Sequence, residues 1–187
     1  MTAPPSAVVQ LIGSPLTPSN TGAVAEALVD ALVAAGLVTA TRRDVIELAA
    51  ISGITFTAER AVGRAPMADP FGVVRAADLL IVATPTLVGA YAGILKLFLD
   101  HFRPGQLAGV VAVPVALVTC RDDRQAVASS LKTLLARLGA IVPTPALAVQ
   151  AQGAPGPATA RWVARHGLAI YRALDRQSAD GAVMKQQ

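Results

Sequence analysis

Five short apolar runs alternate with segments of helical periodicity along this chain of 187 residues, and this alternation constrains the fold more than any other feature. The runs are rich in β-branched residues and too short for helices, so we predict that each is a β-strand. Strands that alternate with helices form a doubly wound parallel sheet with helices on both faces. We therefore predict a single α/β domain with five parallel strands. The predicted strands are residues 7–12, 41–48, 78–83, 110–119 and 141–149.

The helices are predicted from apolar spacing and end signals. Asn20 and Thr21 can cap the first helix and Gly36 can end it. The second strand is expected at a sheet edge, the segment 49–70 as a long connection, and Pro114 as an interruption of the fourth strand. The ends, 1–6 and 178–187, are expected to fray. The later helices are predicted at residues 71–77, 91–102, 122–138 and 158–174.

Composition excludes several classes of function. With one cysteine, Cys120, the chain can form no internal disulfide and no Cys-rich metal site. A net charge of +4 and 4% aromatic residues disfavour nucleic-acid binding. The sequence has no uninterrupted apolar run of the roughly 18 residues that a membrane helix needs. Residues 1–6 carry no basic residue, so we expect a cytoplasmic protein without a signal peptide.

The loop after the first strand is rich in hydroxyl and amide side chains. Its sequence, GSPLTPSNTG, is neither a dinucleotide fingerprint nor a Walker A loop. Hydroxyl donors beside the N-terminus of a helix can bind a phosphate monoester, although a polar loop with a helix cap explains the composition equally well. The candidate phosphate-binding residues are Ser14, Thr17, Ser19, Asn20 and Thr21.

The junction after the third strand is unusually apolar for a turn. We expect its backbone to approach a flat heterocycle at Gly89, with Leu87 and Val88 covering one face. Phosphate on one loop and a planar ring on the next describe flavin mononucleotide (FMN). Core packing or a subunit interface is the alternative explanation. Ligands of doubly wound sheets bind at the carboxyl ends of the strands, so three loops contribute. The remaining candidates are Pro85, Thr86, Thr119, Cys120 and Arg121.

The first loop and the stretch ATPTLVGAYAGILKLFLD, residues 83–100, resemble the NAD(P)H-dependent FMN reductases of flavodoxin-like fold. The resemblance is greatest to the reductase components of two-component alkanesulfonate monooxygenases. It implies strand order 2-1-3-4-5 and reduction of FMN by NADH or NADPH, with no dedicated catalytic side chain. It also implies a homodimer or homotetramer that passes reduced flavin to a monooxygenase or a small acceptor. In this branch a tyrosine at the place of Tyr91 accompanies a π-bulge in the helix at the tetramer interface.

The sequence departs from this family at three places. Members usually carry an arginine near Leu16 and Thr17, an aromatic residue in place of Leu87, and two glycines in the loop where this chain has residues 119–122. These departures keep a second hypothesis open, namely a non-catalytic flavodoxin-like protein with a degenerate flavin site that acts in assembly or partner binding.

Seven single residues receive plainer interpretations. Lys96 and Asp100 are expected to form a surface ion pair, and His101 to close a helix. Cys120 is expected to be a small core residue, with a reactive thiol as the alternative. Trp162 is expected to anchor its helix in the core or in an interface. Arg121 is interpreted as a surface arginine, or as a ligand for a nucleotide phosphate, and Asp122 as a helix N-cap.

Overall fold

A computed structural model describes residues 4–51, 55–56, 61–62, 69–120 and 123–184. Its main sheet contains five parallel strands in the order β2-β1-β5-β7-β8, which confirms the predicted order 2-1-3-4-5 and places the second strand at an edge. A sixth, two-residue strand, β6, pairs antiparallel with β5. The main-sheet strands are β1 (Pro5–Ile12), β2 (Thr39–Glu47), β5 (Leu79–Leu87), β6 (Ala90–Tyr91), β7 (Val111–Val118) and β8 (Leu147–Gln150).

Helices cover both faces of the sheet. One core packs α1 and α6 against residues such as Val8 and Ile12, and the other packs α2 to α5 against Val9 and Leu11, because successive side chains of a strand point to opposite faces. The strand β5 is completely buried from Leu79 to Ala83, as its continuous apolar run predicts. The helices are α1 (Asn20–Ala34), α2 (Leu48–Ile51), α3 (Pro70–Arg75), α4 (Gly93–Leu99), α5 (Asp123–Arg137) and α6 (Pro155–Met184).

The ends of α1 correct one detail of the prediction and confirm another. Ser19, and not Asn20 or Thr21, is the N-cap, and its hydroxyl accepts a hydrogen bond from the Gly22 amide at 3.1 Å. At the other end Gly36 has a φ of +66°, and the amide of Leu37 donates to the carbonyl of Leu32. This is the glycine-terminated geometry that the sequence predicts.

Pro114 does not interrupt β7, contrary to expectation. The ladder between β5 and β7 is continuous through the pair Val82 and Pro114. The amide of Ala112 donates toward Ile141, on the β8 side, and the amide position two residues later faces the same side. β8 begins to pair with β7 only at Val115, so no strand pairs with β7 on this side at Pro114, which has no N–H to donate.

The segment 49–70 and the chain ends contain more structure than the sequence predicts. The described part of that segment includes a two-stranded antiparallel sheet, β3 (Thr55–Phe56) and β4 (Ala61–Val62). Ser6 already belongs to β1, and α6 continues to Met184 instead of ending near residue 174. The strand that was predicted at 141–149 shortens to β8, with one isolated bridge between Val111 and Ile141.

Candidate functional site

The loops after β1 and β5 leave neighbouring strands at the same edge of the sheet. The amide of Gly13, the first residue after β1, donates to the carbonyl of Ala83 in β5 at 2.7 Å. A Cβ on Gly13 would stand 2.7 Å from the Cβ of Leu95 in α4, so only glycine fits without displacement of the backbone or the helix. The structure thus brings together the two loops that the sequence singled out.

Donors are available at the N-terminus of α1. The amides of Gly22 and Ala23 are bonded to Ser19, whereas in the described part of the chain those of Asn20 and Thr21 have no protein acceptor. The buried Ser14 hydroxyl accepts from the Leu16 amide at 3.1 Å and keeps its own proton for donation. Two open amides and nearby hydroxyl groups at the positive end of a helix form a donor set that suits a phosphate group.

Thr17 and Pro18 lie in the exposed part of this loop, and the peptide bond between them is cis. Leu16 is also exposed, so this part of the loop presents an apolar side chain and no cation. The donors of this loop are therefore neutral. A phosphate held here would depend on amides, hydroxyls and the helix dipole for its stabilisation.

A carboxylate that the sequence analysis missed lies beside the same helix end. Glu47 ends β2, and its Oε1 is 3.6 Å from the place where a Cβ on Gly22 would stand. Its Oε2 is buried and has no hydrogen-bond partner among the described residues. The parallel pairing of Ile12 with Glu47 is what brings the group to this edge, and only the strand register could have revealed it.

The apolar junction is a β-hairpin and not a strand-to-helix turn, which corrects the prediction. The strand β5 continues to Leu87, turns at Val88 and Gly89, and returns as β6. Both turn residues have positive φ, +48° and +73°, as a two-residue hairpin turn requires. Val88 is fully exposed and β-branched, a residue type for which this conformation is a genuine outlier.

Tyr91 does not begin a helix, so the expected π-bulge at this place is wrong. It lies in β6, opposite Thr86, and α4 begins two residues later. The hydrogen bonds from Lys96 to Ala92 and from Asp100 to Lys96 have ordinary helical spacing. The Thr84 hydroxyl accepts from the Ala92 amide at 3.0 Å, and this bond delays the helix by fixing the chain after the hairpin.

Thr86 brings an unsatisfied hydroxyl to the hairpin. Its side chain is buried, and its Oγ1 has no hydrogen-bond partner in the described part of the chain. On either side of it, Pro85 is half-buried and Leu87 half-exposed. The hairpin therefore combines an exposed apolar tip with one orphan polar group near its base.

The loop after β7 is described only as far as Cys120. Thr119 and Cys120 are both exposed, so the interpretation of Cys120 as a core residue is wrong. Arg121 and the predicted N-cap Asp122 lie outside the described residues. Two exposed side chains thus lie at the start of the loop after β7.

A cavity of about 310 Å³ opens beside the phosphate loop. Asn20, Ala23 and Leu117 line one part of it. The rest is formed by the loop after β8, which the sequence analysis did not consider. Gly153 and Pro155, which follow the fifth strand at the same sheet edge, are the signal that could have indicated this loop.

The single residues on the helices mostly match their plain interpretations. Lys96 and Asp100 form an ion pair one turn apart, and the hydrogen bond that Lys96 donates to the Asp100 carboxylate raises the pKa of Lys96 above its ordinary 10.5. His101 follows α4 and contacts the Leu97 carbonyl through Nδ1 at 3.0 Å. Trp162 is half-buried and packs against the core under α6.

Residues 6–154, from β1 to the loop after β8, match a single protein family model. The chain belongs to the NADPH-dependent FMN reductase family. The donor set of the first loop and the apolar hairpin beside it fit the phosphate and the ring of the FMN that gives the family its name. No curated protein matches the sequence.

Solved structures of related fold agree with the family. The apo form of the NADH:FMN oxidoreductase EmoB superposes with a TM-score of 0.65 at 22% identity, over 94% of this chain and 89% of that one. An oxidoreductase from Corynebacterium diphtheriae gives 0.67 at 24%, over 91% and 97%. A WrbA-like flavodoxin from Agrobacterium tumefaciens gives 0.58 at 16%, over 90% and 99%. These neighbours show a flavodoxin-like fold, and the family model indicates a flavin-binding oxidoreductase.

Within the described ranges of the chain, none of the helices has both the length and the apolar character needed to cross a membrane.

Proposed function

We propose that this protein reduces FMN with NADH or NADPH. The observation that carries the proposal is the pair of open amides at Asn20 and Thr21, at the N-terminus of α1. This helix follows β1, the strand that pairs with β5 and so neighbours the apolar β5–β6 hairpin. The loop after β1 begins at Gly13, which is hydrogen-bonded to Ala83 in β5, and the hairpin follows four residues later, after Leu87. A ligand that carries both a phosphate and a planar ring would need two such sites on neighbouring strands.

The protein's part in the reaction is to bind, orient and exclude water. FMN when bound supplies the hydride-accepting chemistry, and the nicotinamide supplies the hydride. The amides of Asn20 and Thr21 and the Ser14 hydroxyl would hold the phosphate, while Leu87 and Val88 would cover the ring. Thr119 and Cys120 would flank the ring on the β7 side, with Arg121 available for a nucleotide phosphate.

Assembly and transfer of the product form part of the proposal. The exposed Leu87 and Val88 at the hairpin tip, with the exposed Leu97 on α4, give an apolar surface suited to a homodimer or homotetramer. Reduced flavin would then pass to a partner monooxygenase, such as the alkanesulfonate enzymes, or to a small acceptor such as a quinone. The proposed site of action is the cytoplasm.

A non-catalytic role is the second candidate, and specific observations favour it. The first loop carries no cation, the Glu47 carboxylate lies near the same helix end, and Thr119 and Cys120 project where relatives have glycine. Each of these features weakens a flavin site. In that case the hairpin would serve only assembly or partner binding.

The experiment measures binding and turnover separately. FMN is titrated into flavin-free protein and binding is followed by flavin fluorescence. The loss of NADH or NADPH absorbance with FMN present then gives the activity. Ser14→Ala is expected to weaken FMN binding by about tenfold to a hundredfold, since one hydrogen bond to a charged group is lost. Ser130→Ala, an exposed serine on α5, is the matched control. Absence of both binding and turnover would favour the second candidate.

A further inference from the structure

The outer edge of β8 lies in a cleft between α5 and α6. Because β7 is the only strand that pairs with β8 among the residues that the structure describes, this edge of the sheet has no further strand there. A cavity of about 540 Å³ occupies the cleft, well within the size range of small-molecule sites. Its functional side chains are Arg124 and Lys132 from α5, and Arg161, Trp162, Arg165 and His166 from α6.

The edge cleft concentrates positive charge without compensation. Among the residues that the structure describes, no carboxylate lines the cleft, and none forms an ion pair with its arginines or its lysine. Arg161 and Arg165 are one turn apart on the same helix, a spacing at which like charges repel. Repulsion between these cations lowers the stability of the fold, and the positive potential that they create attracts a multiply charged anion.

A peptide strand is a poor occupant for the cleft. The guanidinium of Arg124 donates to the Ala148 carbonyl at 2.6 Å and so already occupies part of the open edge. The strand β8 has only four residues, and Pro145 stands just before it. Addition of a β-strand needs a longer run of available backbone groups. A compact ligand fits these restrictions better.

Trp162 adds a planar apolar surface to the cations. It is half-buried, one part of it packs on the core, and its ring centroid lies 5.1 Å from that of His166. One arginine guanidinium can donate two parallel hydrogen bonds to a phosphate, and the face of a tryptophan ring can stack on a heterocycle. We propose that the edge cleft binds a nucleoside diphosphate or triphosphate, with its phosphates on Arg124, Arg161 and Arg165 and its base against Trp162.

This binding site is separate from the proposed flavin site. It shares no residue with the loop after β1, with the β5–β6 hairpin, or with Thr119, Cys120 and Arg121. The proposal therefore does not depend on FMN reduction. Binding of ADP, which carries neither a flavin nor a nicotinamide, can be tested whether or not the protein turns over FMN.

The reporter for the test is built into the chain, since Trp162 is its only tryptophan. ADP is titrated into the flavin-free, full-length protein at low salt, and binding is followed by tryptophan fluorescence and by calorimetry. We expect a saturable fluorescence change with one ADP per chain. Pyrophosphate is expected to bind about tenfold more weakly, because it lacks the base. Adenosine is expected to bind more weakly still, because it lacks the charge.

Two double variants locate the site. Arg161→Glu with Arg165→Glu is expected to weaken ADP binding by tenfold or more, about what one lost charge-assisted contact implies. Arg172→Glu with Arg176→Glu makes the same change of charge and spacing on the same helix, outside the cleft, and should leave ADP affinity within about twofold. The single variant Arg165→Gln serves if the first double variant does not fold. FMN affinity is measured in every variant and is expected to stay unchanged.

Several outcomes would overturn the proposal. These are no ADP binding at low salt, equal losses in the two double variants, pyrophosphate binding as tight as that of ADP, or tighter binding of a short single-stranded RNA than of ADP. Parallel loss of FMN and ADP affinity in the Arg161 and Arg165 variant would also count against a separate site.

Discussion

The amide of Gly13 and the carbonyl of Ala83, 2.7 Å apart, join the start of the loop after β1 to the middle of β5. The bond continues the ladder between β1 and β5 by one step, and β5 then runs four residues further, to Leu87, before its hairpin turn. Loops on such a scaffold can differ in sequence while their starting points stay fixed. The strand pairing therefore places the neutral phosphate loop and the apolar hairpin at the same end of the sheet.

Gly13→Ala is expected to lower the stability of the protein. The new Cβ would stand 2.7 Å from the Cβ of Leu95, a carbon that cannot move without the backbone of α4. Overpacking of this kind costs about 1–3 kcal/mol, or roughly 2–10 °C in Tm for a chain of this size. Thermal unfolding followed by circular dichroism measures the effect. Gly93→Ala, where no atom lies within 4 Å, is the matched control and should leave Tm unchanged or higher. Equal Tm values for the two variants would contradict the packing argument.

Val88→Asn is expected to raise stability. Asparagine tolerates the positive φ of +48° far better than valine, and Asn-Gly is the preferred pair for this hairpin turn. Relief of the strain should add about 1 kcal/mol to the free energy of unfolding. Denaturant titration provides the measurement. Val45→Asn, on an exposed edge-strand position, makes the same chemical change and should destabilise instead.

The same variant tests whether the strained valine serves assembly. If the hairpin tip forms a subunit interface, Val88→Asn should shift the mass seen by light scattering toward the monomer while Tm of the monomer rises. A rise in stability with unchanged mass would leave Val88 without an interface role.

The sequence predicted the fold well because apolar periodicity and chain order decide it. Five strands and the glycine at the end of α1 follow from local patterns, and the order 2-1-3-4-5 follows from the resemblance to a known family. The hairpin at Val88 could not be predicted from local patterns or from the resemblance. Its turn needs positive φ at a valine, which local preference opposes, and the Thr84 hydroxyl that fixes its exit bonds an amide eight residues away. Glu47 was missed because it reaches the site only through strand pairing.

Asp100→Asn is expected to lower the pKa of Lys96 toward its ordinary 10.5. The Asp100 carboxylate raises this pKa by accepting a hydrogen bond from the ammonium group. A raised pKa in the folded state stabilises the fold fully below pH 10.5, and the contribution is lost as pH rises through the folded-state value. NMR titration of the lysine side chains measures the shift. Asp175→Asn, on another helix, is the control and should leave the Lys96 titration unchanged.

Glu47→Gln is expected to tighten binding of FMN or inorganic phosphate at the N-terminus of α1. The carboxylate lies beside Gly22 in the first turn and opposes a second negative charge there. At this separation, near a solvent-exposed loop, removal of one charge is worth about 0.5–1 kcal/mol, or a twofold to fivefold change in Kd. Asp30→Asn removes the same charge farther along α1, about 15 Å from Asn20 at the rise of a helix, and should change Kd little. Calorimetry at two salt concentrations measures both variants. The gain from Glu47→Gln should shrink at high salt, because counterions screen the repulsion. If Glu47→Gln leaves the Kd unchanged or raises it, the anion does not bind at this helix end.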